Sequence, residues 1–169
     1  MRINNLHNIY KKYIKIKKNI LSDVEEYFST LNGRVLGVQY RYTDKKKEVC
    51  QISDDDMVKM ILTELPNYDF IFVATDYQPL IDKLSILSNK IKYLPSKRSS
   101  NDIGSHFQKN DRVFDNYQKG YEILKEIMIL SKCDDFFYSR SNVSLSVLII
   151  NNLKFKKIKC INENRLCNS

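Results

Sequence analysis

Three short polar clusters follow apolar runs in this sequence, and their side chains are of types that bind anions. The first is residues 39–44 (QYRYTD), the second is Thr75 and Asp76, and the third is residues 139–144 (SRSNVS). Arginine offers a planar fork of donors that suits a diphosphate. Serines at a helix N-terminus add hydroxyl and backbone N–H donors where the helix dipole favours negative charge. Together these residue types predict a phosphate-binding site.

The elements that must position these clusters alternate between strand and helix. We predict strands at 35–40, 70–74, 91–94, 136–138 and 155–161, and helices at 54–65, 79–87, 117–132 and 143–150. This alternation predicts an α/β fold, a Rossmann-like parallel sheet with flanking helices. Because the carboxyl ends of parallel strands meet at one edge of the sheet, the three clusters should lie together there.

The N-terminal segment has a different pattern. Apolar residues recur at helical spacing through residues 5–31, with lysines between them, which predicts one long amphipathic helix before the first strand. We favour a helix packed on the domain with a solvated lysine face, and the alternative is a helix lying on acidic lipid. We therefore divide the chain into a helical segment 1–32, a Rossmann-like domain 33–161 and a frayed tail 162–169.

Composition limits the classes of function. The chain has 169 residues, is 43 % hydrophobic and carries a formal net charge of +8, which favours anionic partners. Nucleic acid is one such partner, but the lysines are scattered and no aromatic–basic motif of the RNA-recognition kind is present. We therefore expect no specific nucleic-acid binding and keep a basic nucleic-acid-binding protein as the third hypothesis.

The four cysteines indicate the compartment. They are widely spaced, without a C-x-x-C pair, so we predict reduced thiols and no metal knuckle. The first residues lead into no apolar signal core, and no apolar run reaches the ~20 residues that span a bilayer. We expect a cytoplasmic protein, with weak peripheral membrane contact as an alternative.

Each candidate residue also has a structural interpretation. Arg41 could pair with Asp44 or Asp76 to hold the fold, and the serines of the third cluster could simply cap a helix. The residue types alone leave both interpretations open.

The order of the three clusters resembles a known family. Residues 36–44 (LGVQYRYTD) are similar to the G-V-H-x-R-x-T-D motif of the α-1,6-fucosyltransferases and the rhizobial nodulation fucosyltransferases. Residues 72–76 (FVATD) resemble their second motif, a strand ending in A-T-D. Residues 129–134 (ILSKCD), followed by 141–144 (SNVS), resemble the third. The resemblance covers roughly residues 34–151.

The resemblance implies the donor-binding domain of a two-domain, metal-independent GT-B glycosyltransferase. Such a protein binds GDP-fucose and transfers fucose to a glycan or glycolipid acceptor with inversion, and needs neither metal nor cofactor. By the same resemblance Arg41 holds the β-phosphate, and Ser141, Asn142 and Ser144 complete the phosphate site. Glu126 takes the place of the carboxylate that reads the guanine edge; its alternative is an exposed helix residue beside Lys125.

The remaining assignments follow the motifs. Gln39 stands where the family has histidine and can donate to guanine O6, while Tyr42 replaces a second arginine. The other nucleotide-sugar-binding residues implied are Thr43, Asp44, Thr75 and Asp76. The catalytic residues implied are Arg41, Lys45 and Glu48, the last about one position out of register.

One departure concerns the acceptor side. The family carries an N-terminal domain of comparable size that helps to build the acceptor site, whereas here one predicted helix precedes the first motif. The alternatives to an enzyme are therefore a non-catalytic nucleotide-sugar-binding domain, or the donor half of a split or truncated enzyme that works with a partner chain.

Overall fold

The computed structural model describes residues 3–42, 52–100 and 115–162. The helices are α1 (Ile3–Tyr13), α2 (Lys18–Ser29), α3 (Asp54–Glu64), α4 (Gln78–Ser85), α5 (Asp115–Leu130) and α6 (Asn142–Asn151), with a 3₁₀ turn, Leu65–Asn67, after α3. The strands are β1 (Val35–Tyr40), β2 (Phe70–Thr75), β3 (Ile91–Lys92), β4 (Asp135–Tyr138) and β5 (Lys157–Cys160).

The five strands form one sheet in the order β3-β2-β1-β4-β5, and every pairing is parallel. The predicted fold class, a Rossmann-like parallel sheet with flanking helices, is confirmed. Because β2 and β4 flank β1, the chain extends the sheet first in one direction and then in the other. The crevice at such a reversal point is where doubly wound sheets bind ligands.

Successive residues of β1 and β2 point to opposite faces, and each face has its own apolar cluster. Val35 and Phe72 join a cluster with α2, α5 and α6, while Leu36 and Ile71 join a cluster with α3 and α4. All six residues of β1 are buried. A strand covered on both faces needs a nearly continuous apolar sequence, and this explains the run at 35–38.

The predicted single helix over residues 5–31 is wrong, since residues 14–17 separate α1 from α2. Ile14 and Ile16 are β-branched, which lowers helix propensity slightly, and Lys11, Lys15 and Lys18 repel one another at helical spacing. The two helices also have different partners, as α1 packs on α6 and α2 packs on α5. The division of the chain at residue 32 stays a prediction, although Ile20 and Val24 of α2 belong to the same cluster as Val35.

Other boundaries differ by a few residues. The third predicted strand, 91–94, is reduced to Ile91–Lys92, because the chain then leaves the sheet and Ser99 makes a separate bridge to Tyr77. The last strand is Lys157–Cys160 and not 155–161. Residues 95–116, a polar loop between the third predicted strand and the predicted helix 117–132, are described at 95–100 and at 115–116, where α5 has already begun. The predicted frayed tail lies outside the described residues beyond Asn162.

Gly37 lets the end of α5 approach the central strand closely. A methyl group added at Gly37 would lie 3.0 Å from Leu130 Cδ2 and 3.1 Å from Cys133 Sγ. We predict that Gly37→Ala lowers the free energy of unfolding by about 1–3 kcal/mol, because neighbours in a packed core must move. Urea denaturation followed by circular dichroism measures the change.

Gly120 provides the matched control, because it lies inside α5 and an added methyl group meets no atom within 4 Å. Gly120→Ala should raise the free energy of unfolding by roughly 0.5–1 kcal/mol through helix propensity. Equal effects of the two substitutions would contradict the proposed contact between α5 and β1.

Candidate functional site

The carboxyl ends of three strands place the polar clusters at one edge of the sheet. Gln39 is in register with Ala74 of β2 and Tyr138 of β4, so the residues that follow these strands emerge at the same level. A pocket opens there. The strand ends contribute Gln39, Arg41, Thr75 and Asp76 to its wall, and α5 contributes Lys119, Glu122, Ile123 and Glu126.

Arg41 is fixed by contacts to both neighbouring strand ends. Its Nε lies 3.0 Å from Asp76 Oδ2, and its backbone N–H donates to Ser139 Oγ at 2.8 Å. Asp76 Oδ1 also accepts from the Tyr42 backbone N–H at 2.9 Å. The structural pairing that we considered for Arg41 therefore exists with Asp76. It orients the guanidinium in the pocket wall, where the side chain is 18 % exposed.

Gln39 and Thr75 form the floor of the pocket. Gln39 is buried, and its Oε1 accepts from the Ser139 hydroxyl at 3.4 Å. Thr75 is also buried, and its Oγ1 accepts from the Tyr77 backbone N–H at 3.3 Å. Gln39 is thus held by the loop after β4, and Thr75 by the loop after its own strand, β2.

Glu126 is buried in the pocket wall, and the alternative of an exposed helix residue is wrong. Its Oε1 accepts from the Ser96 hydroxyl at 2.9 Å and lies 3.6 Å from the Arg98 guanidinium. Burial raises the pKa of Glu126 to about 7, although Arg98 and Ser96 act in the opposite direction. The pocket therefore contains a carboxyl group that changes charge near neutral pH.

Arg98 is the residue that sequence reasoning missed. Its side chain is 2 % exposed and donates to three backbone carbonyls: Leu94 O at 2.7 Å, Ser96 O at 2.9 Å and Thr75 O at 3.1 Å. These bonds tie the segment after β3 to the end of β2. The polar composition of the loop 95–116 was a signal, but nothing in it distinguishes a buried arginine from a solvated one.

Ser141 and Ser144 form a reciprocal cap at the start of α6. Ser141 Oγ accepts from the Ser144 backbone N–H at 3.1 Å, and the Ser141 backbone N–H donates to Ser144 Oγ at 2.9 Å. The structure therefore shows the helix-capping role that was the alternative interpretation of these serines. Val143 reaches the pocket wall, whereas Ser141, Asn142 and Ser144 are not among its lining residues.

The remaining predicted residues, Thr43, Asp44, Lys45 and Glu48, lie outside the described residues. Within the described ranges, no group of three or more His, Cys, Asp or Glu side chains is arranged to hold a metal ion. No helix in the part of the chain that the structure describes is long and apolar enough to cross a membrane. Cys133 and Cys160 are free thiols.

No protein-family model and no curated protein matches this chain. Solved structures match its fold. NodZ α-1,6-fucosyltransferase co-crystallised with GDP aligns with a TM-score of 0.54 and 13 % identity, over 85 % of this chain and 44 % of that one. NodZ from Bradyrhizobium aligns with a TM-score of 0.57 and 13 % identity, over 89 % of this chain and 46 % of that one. POFUT1 in complex with GDP-fucose aligns with a TM-score of 0.54 and 11 % identity, over 85 % of this chain and 46 % of that one.

These comparisons define the class of fold. The chain has the α/β fold of fucosyltransferases whose structures contain GDP or GDP-fucose, and the resemblance predicted from the three motifs is confirmed at that level. The chain spans less than half the length of each of these proteins.

The raised pKa of Glu126 makes stability depend on pH. The folded protein holds this proton more tightly than the unfolded chain, whose glutamates titrate near 4.5. The free energy of unfolding should therefore fall, relative to Glu126→Gln, as pH rises from about 4.5 to about 7. The difference between the two proteins should change by at most roughly 3 kcal/mol over this interval. Urea denaturation at several pH values measures it. Parallel curves for the two proteins would show that Glu126 is not buried as described.

Proposed function

We propose that the chain binds a guanine nucleoside diphosphate sugar, GDP-fucose, in the pocket at the carboxyl edge of the sheet. The observation that carries the proposal is the arrangement of Arg41, Gln39 and the buried Glu126 in one pocket. The pocket belongs to a fold shared with fucosyltransferases whose structures contain GDP or GDP-fucose. No divalent metal is required, because Arg41 supplies positive charge for the diphosphate.

In this proposal the base lies on the α5 side of the pocket. The Glu126 carboxylate accepts the N1–H and amino group of guanine, and Gln39 donates to its O6. Arg41 contacts the β-phosphate, where charge develops as the sugar leaves, and so stabilises the transition state. Ser141, Asn142 and Ser144 complete the phosphate site, which requires Ser141 and Ser144 to share their cap with the ligand.

The catalytic step proposed is transfer of fucose to a glycan or glycolipid hydroxyl with inversion at the anomeric carbon. Glu48 is the candidate base and Lys45 a second cation for the diphosphate, beside Thr43 and Asp44 in the donor site. The second candidate function is a non-catalytic binding domain, or the donor half of a larger assembly. The chain spans 44–46 % of the fucosyltransferase structures with which it aligns, so the activity of those whole proteins is for this chain a proposal only.

The first prediction from this proposal concerns the base. GDP should bind more tightly than ADP or UDP without added divalent metal, as measured by calorimetry. Inosine diphosphate lacks the amino group that Glu126 is proposed to accept, so it should bind more weakly than GDP by about 1–3 kcal/mol. Glu126→Gln should remove most of this preference. Equal affinity for all the nucleotides would refute the guanine assignment, and strict dependence on Mg²⁺ would refute the metal-independent site.

The second prediction concerns the diphosphate. Arg41→Ala should weaken GDP binding by about 1.5–3 kcal/mol, the value of a charge-assisted hydrogen bond, and leave GMP binding nearly unchanged. Arg41→Lys should restore part of the loss, because an ammonium group cannot replace the planar fork. GMP serves as the internal control for folding. If Arg41→Ala binds GDP normally but unfolds at lower urea, the pair with Asp76 is the whole role of Arg41.

The third prediction separates the two candidate functions. The chain alone should bind GDP-fucose but release GDP slowly and independently of acceptor, because transfer needs an acceptor hydroxyl aligned with the anomeric carbon. Such alignment contributes roughly 7–11 kcal/mol to lowering a barrier, and the described pocket supplies only donor-side groups. GDP release is followed with a panel of glycan acceptors. Rapid acceptor-dependent release would show that the chain is an enzyme by itself.

A further inference from the structure

Positive charge is concentrated at the start of the chain. Arg2 and the five lysines within residues 11–18 are the only formally charged side chains in residues 1–22, so this segment carries most of the formal net charge of +8. All five lysines are exposed. The first acidic residue, Asp23, is turned toward α5, where it accepts hydrogen bonds from Tyr121 and Lys125. The excess positive charge therefore has no acidic residue beside it in sequence.

Exposed apolar side chains lie among these lysines. Ile9, Tyr13 and Ile14 are 48 %, 65 % and 52 % exposed, and no residue of α1 is buried. Ile9 and Tyr13 are one helical turn apart and therefore share a face of α1. A helix with apolar and basic side chains exposed together is not fully accounted for by packing on its own domain.

The same surface continues onto the beginning of α5. Residues 15–17 and Tyr117 line a common groove, and Tyr117 is 54 % exposed. The Lys17 ammonium lies 5.9 Å from the centre of the Tyr117 ring, and the Lys12 ammonium lies 5.0 Å from that of Tyr13. Cationic and aromatic groups are thus interleaved. We call residues 9–18 together with Tyr117 the N-terminal surface.

The inner side of α1 is held by the domain. His7 Nδ1 lies 2.7 Å from the Ile149 carbonyl oxygen of α6, and Ile3 packs against the cluster that α6 helps to form. Residues 142–151 of α6 contain no charged side chain. Among the described residues, α6 therefore anchors α1 without placing an acidic group beside its lysines.

This combination fits one kind of partner. Lysine is depleted in the cores of protein–protein interfaces, and binding to nucleic acid depends on phosphate contacts that exposed isoleucines do not strengthen. An anionic bilayer binds both the basic and the apolar side chains of this surface. Lysines are attracted to its headgroups, isoleucines enter the acyl boundary and tyrosines lie at headgroup level. We propose that the N-terminal surface docks the protein on an anionic lipid bilayer.

Docking would set the orientation of the proposed donor site. Both the N-terminal surface and the pocket use the first half of α5: Tyr117 lines the groove, whereas Lys119 and Glu122 line the pocket. A bilayer that contacts Tyr117 would thus lie within about two helical turns of the pocket wall. Lipid binding itself does not depend on nucleotide binding, so the proposal is tested without nucleotide and can fail independently of the donor function.

The experiment is co-sedimentation of the full chain with vesicles. The chain should sediment with vesicles that contain phosphatidylserine, not with phosphatidylcholine alone, and added salt should weaken the binding. The double variant Lys11→Gln, Lys15→Gln should lose on the order of tenfold in affinity. The control Lys59→Gln, Lys159→Gln makes the same change in net charge on exposed lysines of α3 and β5 and should lose little. Equal losses would show that net charge and not this surface is responsible, and would overturn the proposal.

Insertion of the apolar side chains is tested by fluorescence. The chain contains no tryptophan, so Ile14→Trp introduces a single reporter, and Ile86→Trp places a control at a position that is 83 % exposed beyond α4. Anionic vesicles should shift the emission of Ile14→Trp to shorter wavelength and leave Ile86→Trp unchanged. An unshifted Ile14→Trp would overturn the proposal. Two other results would also overturn it. One is displacement of the chain from vesicles by duplex RNA at equal charge concentration. The other is a dimer that forms without vesicles and that Ile14→Asn abolishes.

Discussion

Burial of β1 on both faces is the constraint on which the site depends. A strand that is covered by helices on each side and paired along both edges has no place for polar side chains within most of its length. Polar groups are therefore confined to its end and to the loops beyond. Since β2 and β4 are parallel to β1 and in register with it, their loops meet at the same point. The pocket follows from the topology of the sheet.

The second requirement is that the loop after β3 hold its shape. Arg98 provides this: its buried guanidinium donates to three backbone carbonyls and lies near the Glu126 carboxyl group. A buried cation is stable only when its donors are paired in this way. The same contacts place Ser96 against Glu126, so the wall of the pocket and the protonation of its acidic group are linked.

Much of the fold could be predicted from the sequence. The apolar runs at 35–40 and 70–74 and the periodicity of 117–132 identified β1, β2 and α5 within about two residues. The prediction was wrong where tertiary contacts outweighed pattern. The segment 5–31 has helical periodicity throughout, but its two halves pack against different helices. The pattern records only that one face is apolar, and it does not record which neighbour covers that face.

The sequence by itself determined the types and order of the site residues: an arginine after β1, Thr75 and Asp76 at the end of β2, and serines at the start of α6. It also determined the parallel α/β class, because buried strands alternate with helices. Only the tertiary structure decided that Arg41 pairs with Asp76, that Glu126 is buried and that Arg98 is its partner. These contacts join residues that are 28–35 positions apart. Their distances depend on how the helices pack on the sheet, which local sequence periodicity does not encode.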